Sequence, residues 1–101
     1  MRIQFTFRNL DPSDAIKAHA RDKLTKLQKY LRAPLDAEVT LSVERHLHCA
    51  DVHLSTHDGK SIVGRDESED MYASIDLVVD KIRSQLVRTR GRRSSAKHGE
   101  E

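Results

Sequence analysis

RIQFTFRNLDPSDAIKAHARDKLTKLQKYL, residues 2–31, changes its period partway along. In the first seven residues Ile3, Phe5 and Phe7 alternate with Gln4, Thr6 and Arg8, the two-residue period of a strand with one buried face. From Ile16 the apolar residues recur as Ala20, Leu24, Leu27 and Leu31, which is the stripe of a helix running to about Arg32. Between the two lies Asp11-Pro12-Ser13-Asp14, a helix start. Asp11 can cap, Pro12 suits the first helical position, and Asp14 sits near the positive end of the dipole. Ala33-Pro34 ends the helix.

Three more strands follow by the same alternation. Val39, Leu41 and Val43 mark the second, within Glu38 to Glu44, and Ala50, Val52 and Leu54 mark the third. Asp58-Gly59 is a tight turn into a fourth, weaker strand over Lys60 to Arg65. The acidic stretch Asp66 to Asp70 then reads as the opening of a second helix. Met71, Ile75, Val78, Val79, Ile82 and Leu86 give its stripe, and Gly91 is expected to end it. The predicted order is β-α-β-β-β-α, an α+β two-layer sandwich: a four-stranded mixed sheet carries both helices on one face, with the first two strands parallel. The opposite face is left polar. Residues 1–93 are read as one domain and 94–101 as a flexible polar tail.

At 101 residues the chain has room for one core. Its longest apolar run is three residues (Leu77, Val78 and Val79), far short of the ~20 needed to cross a bilayer. A single cysteine, Cys49, cannot form an internal disulfide, which fits a reducing, cytoplasmic setting. The net charge of +2 hides a segregation. Residues 1–35 carry eight Lys/Arg against three Asp/Glu, residues 36–80 three against eleven, and residues 81–101 seven against two. A polyanion responds to the local field, so this basic, acidic, basic order matters more than the total.

On the first helix His19, Lys23, Lys26 and Tyr30 fall along one flank of the stripe, with Lys29 further out on that side; Lys17, Arg21 and Arg32 fall on the other. On the second, Lys81, Arg88 and Arg92 form one flank and Arg83 and Arg90 the other. If the helices lie side by side, these flanks line a shared outer surface or the groove between them. With the carboxylates largely in the sheet, the result is a cationic face suited to a sugar-phosphate backbone. Lysine and arginine on a helix are ordinarily just solvated side chains. The run from Lys81 to Gly99, however, holds seven cations and no carboxylate, a self-repulsion that points to an external anion.

Asp70-Met71-Tyr72-Ala73-Ser74-Ile75-Asp76, followed by Asp80-Lys81-Ile82 and Gln85-Leu86, resembles the bacterial ribosome hibernation factors, the family of the hibernation promoting factor and the ribosome-associated inhibitor A. Lys23-Leu24, Lys26-Leu27 and Lys29-Tyr30 are similar to that family's Lys-Leu rhythm, and Ser74 stands where its box usually has Ala. The resemblance covers residues 1 to about 90 and implies the short form of the family. It implies binding to the 16S rRNA of the small (30S) ribosomal subunit, in the channel between head and body. Occupying the space of tRNA and mRNA would inhibit translation in stationary phase or stress. By the resemblance, the RNA contacts fall on Lys23, Lys26 and Lys29, then Lys81, Arg88 and Arg92; Arg83 and Arg90 occupy positions where relatives vary in charge. Tyr30 joins this set as an aromatic on the same flank that can stack on a base. No cofactor, metal or membrane is implied. The isolated protein is expected to be a monomer, and pairing of ribosomes would need a separate ribosome modulation factor.

Other constellations are weaker. His46, His48, Cys49, His53 and His57 match no zinc spacing; His46 and His48 are expected in a hairpin loop, and His53 and His57 on one strand too far apart to chelate together. A metal-buffering protein is therefore a distant alternative. No Gly-rich phosphate loop or nucleophile elbow suggests an enzyme. The nearer alternative is a stand-alone structured-RNA-binding module related to double-stranded RNA-binding domains. With four aromatics, two of them facing the core, recognition of backbone and shape is favoured over reading of sequence.

Overall fold

A computed structural model describes the backbone of residues 1–31 and 33–98, and the side chains of these residues as far as Arg88. Four strands form one sheet in the order β1-β2-β3-β4: β1 (Arg2–Arg8), β2 (Leu35–Glu44), β3 (Leu47–Thr56) and β4 (Ser61–Ser68). The β1–β2 pair is parallel, with Phe5 opposite Val39, and the other two pairs are antiparallel, with Val39 opposite Val52 and Val52 opposite Gly64. Helices α1 (Asp14–Thr25) and α2 (Met71–His98) cover one face. Leu24 from the first, Leu27 just beyond its end, and Ile75, Val78 and Ile82 from the second close with Val39, Leu41, Val52 and Leu54 into a single core. The expected α+β sandwich is what forms. No helix among the described residues is long and apolar enough to cross a membrane.

Local features depart from the sequence reading in five places. First, Ser13 caps α1, not Asp11: its backbone is extended and its Oγ accepts from the Ile16 amide at 3.2 Å. Second, α1 stops at Thr25 and continues as a tighter 3₁₀ segment, Lys26–Tyr30. Gln28 there donates to the Ala33 carbonyl at 2.9 Å and accepts from the Leu35 amide at 3.1 Å, so it clamps the short return into β2. Third, β4 runs on through Asp66, Glu67 and Ser68, which were expected to open the helix. The strand alternation carries Asp66 and Ser68 toward α2, where Lys81 Nζ lies 2.9 Å from Asp66 and Ser74 Oγ 2.7 Å from Ser68. Asp70 caps instead, its carboxylate accepting from the Ala73 amide at 3.0 Å.

Fourth, α2 passes through Gly91 to His98, with no break near residue 93. Glycine inside a helix costs only ~1 kcal/mol, and no proline follows. Fifth, His48 belongs to β3, and only Arg45 and His46 make the hairpin turn, with Arg45 in the left-handed region at φ 60°. His57 lies beyond the end of β3, where it meets Asp36 at 3.2 Å. Among the described residues no three metal-ligating side chains converge.

Two glycines are required where they stand. Gly59 turns the β3–β4 hairpin at φ 97°. Gly64 lies under α2, where a Cβ would meet Ile82 Cγ1 at 3.0 Å and Val78 Cγ2 at 3.1 Å. A side chain at this position would push the helix off the sheet.

Candidate nucleic-acid interface

Because α1 follows β1 and α2 follows β4, the helices meet over the middle of the sheet and leave a groove between them. Its volume is about 390 Å³. Lys23, Lys26, Lys29 and Tyr30 line one wall, and Asp76, Leu77, Asp80 and Arg83 the other. Buried Leu27 and Val79 also contribute to the lining. The switch to 3₁₀ geometry has a consequence here. Residues three apart eclipse one another in a 3₁₀ helix, so Lys29 is brought into line with Lys26 and not further out.

The groove is not purely cationic. Asp76 Oδ1 lies 2.7 Å from His19 Nε2 and 3.8 Å from Lys23 Nζ, tying α1 to α2. The His19 ring also meets Tyr72 edge-on, with centroids 5.1 Å apart. Asp80 Oδ1 takes two bonds from Arg83, at 2.9 and 3.3 Å, and Asp22 lies 3.5 Å from Lys26. Asp80 first, by accepting its hydrogen bonds, and then the neighbouring Tyr30 hydroxyl hold the Arg83 guanidinium above its ordinary pKa. The expectation that the carboxylates lie largely in the sheet is corrected: two stand among the groove's cations. Their spacing with Arg83 (76, 80 and 83) marks one helix flank and was available to find them.

The expectation that all these basic flanks share one cationic face is also corrected. Arg83 joins the lysines of α1 and the 3₁₀ segment, while Lys81 points the other way, donating to the Arg65 carbonyl at 3.0 Å and pairing with Asp66 on β4. The stripe Ile75, Val78 and Ile82 faces the core, so one flank of α2 turns toward α1 and the other toward β4. Arg88 is exposed, and its seven-residue spacing from Lys81 puts it on the β4 flank. The side chains of Arg90 and Arg92, and Arg32 altogether, lie outside the described residues. On the outer side of α1, Lys17 and Arg21 sit over Phe5, at 6.0 and 5.6 Å from the ring centroid. They cover the aromatic pair of the edge strand β1.

The opening of α2 ties this groove to the rest of the fold. Met71 and Ile75 enter the core, Tyr72 and Asp76 meet His19, and Ser74 donates to the His48 carbonyl at 2.6 Å. The family described as Sigma 54 modulation protein / S30EA ribosomal protein matches residues 3–94. The chain belongs to that family. Within it, a ribosome hibernation promoting factor from Salmonella typhimurium is 33% identical over 88 residues, spanning 87% of this chain and 92% of the relative. Another, from Azotobacter vinelandii, is 28% identical over 102 residues, spanning 99% and 92%. Among solved structures, the Protein Y N-terminal domain of Thermus thermophilus superposes with a TM-score of 0.80 at 30% identity, covering 88% of this chain and 99% of that one. These relatives are named as hibernation factors, and the Asp70–Asp76 box at the start of α2 supplies Asp76 to the groove.

Proposed function

We propose that the protein is a translation silencer that binds the small ribosomal subunit through rRNA phosphates and occludes the channel used by tRNA and mRNA. The observation that carries this reading is the convergence of Lys23, Lys26, Lys29 and Arg83 from two helices on one groove. Four cations across a groove can track a sugar-phosphate backbone. The names of the relatives support ribosome hibernation as the setting. The protein acts by steric exclusion.

Competition tests this. Small subunits carrying tRNA in the peptidyl site should exclude the protein, and the Lys23→Glu/Lys26→Glu double variant should lose subunit binding while melting within a few degrees of the parent. Simultaneous binding of tRNA and protein would refute occlusion. Equal affinity for an unrelated RNA duplex would favour the structured-RNA module.

A further inference from the structure

We propose that the groove between α1 and α2 is a nucleobase pocket: it takes one unstacked base of single-stranded RNA while the flanking phosphates stay on its cationic rim. This rests on the reading of the protein as an RNA-binding factor and adds to it which part of the RNA enters. A volume of about 390 Å³ falls in the range of small-molecule sites, ~300–1,000 Å³, and is far too small for a helix of paired RNA.

The lining sorts the parts of a nucleotide. A phosphate inside the groove would stand against Asp76 and Asp80, a like-charge contact in a confined space. A base carries no charge. It would find apolar surface at Leu77, which is 48% exposed, and an aromatic face at Tyr30. That face is now covered by the Lys29 ammonium, 5.3 Å from the ring centroid. A base stacking on Tyr30 would displace Lys29 to the neighbouring phosphate, exchanging one cation–π contact for stacking plus a charge-assisted bond.

The carboxylates also select. Asp76 lines the groove, and His19 and Lys23 both engage its Oδ1, which leaves Oδ2 as an acceptor for an incoming base. A carboxylate accepts from the exocyclic amine of cytosine, whereas uracil presents a carbonyl at that position. The pocket therefore favours cytosine over uracil.

The test uses the full chain with short oligocytidylate, oligouridylate and an RNA hairpin duplex, one cytosine being replaced by a fluorescent analogue. The single strand should bind more tightly than the duplex, with emission quenched by stacking, and cytidylate should exceed uridylate by about tenfold. Tyr30→Ala should lower single-strand affinity by about tenfold with duplex affinity unmoved. Leu77→Ser, at an exposed position that does not threaten folding, should lower it in the same sense. Asp76→Asn should raise affinity for both strands and shrink the preference for cytosine. Unquenched emission, or equal binding of duplex and single strand by the parent protein, overturns the pocket. If those results come with salt-sensitive subunit binding intact, the pocket fails alone; if subunit binding is also absent, the proposed function fails with it.

Discussion

Arg83 and Lys81 lie two residues apart on α2 and differ in which way they point, so they make a matched pair for testing where RNA contacts the protein. Arg83 lines the groove with three lysines, whereas Lys81 is tied to Asp66 and the Arg65 carbonyl on β4. Each phosphate neutralised contributes about −0.7 to −0.9 to the slope of log affinity against log salt, so four rim cations give about −3 to −4. Counting every helix cation that the sequence suggested would give a steeper slope, about −5 to −7. Arg83→Gln should flatten the slope by just under one and weaken binding about sixfold at ~0.1 M salt. Lys81→Gln should leave the slope alone and cost at most ~1 kcal/mol of stability, since its ion pair is half exposed. Fluorescence anisotropy with small subunits, titrated between about 50 and 200 mM potassium, reads both quantities. If Lys81→Gln flattens the slope as much as Arg83→Gln does, the β4 flank and not the groove meets the RNA, and the reasoning fails.

Two further outcomes test the fold. Gly64→Val puts its side chain against Ile82 and Val78, already 3.0 to 3.1 Å from a Cβ at that position, and should destabilise the protein by about 1–3 kcal/mol. Urea denaturation checks it; a variant as stable as the parent would mean that α2 can lift away freely. Cys49 is buried on β3 and its thiol is pushed above the ordinary range by burial first, then by the bond it donates to Glu67 at 3.3 Å. Because the neutral thiol is the form that burial favours, the folded protein should resist alkylation at mildly alkaline pH and react promptly in denaturant. Its stability should also fall as pH rises through the unfolded thiol's pKa, since the unfolded chain then releases a proton that the folded chain keeps.

Periodicity alone set the element order, because each strand and each helix must bury one face whatever its neighbours are: Ile3, Phe5 and Phe7 at a period of two, then Ala20, Leu24 and Leu27 along one stripe. The box at Asp70–Asp76 likewise carried the family likeness without any coordinates. Boundaries were less legible, because they depend on partners distant in the chain. Asp66 and Ser68 look like a helix start until Lys81 and Ser74 supply the polar contacts that let them finish a strand. The candidate site was legible as a set of cations but not as an arrangement. A helical wheel assigns Lys81 and Arg83 to opposite flanks; it cannot tell which flank turns toward α1. That is decided by the sheet, since Gly64 lets Val78 and Ile82 settle onto β4, and this seating rotates Asp76, Asp80 and Arg83 into the groove. Composition determined that the protein would carry dense positive charge on its helices, whereas only the packing of α2 between α1 and β4 decided which of those charges face one another.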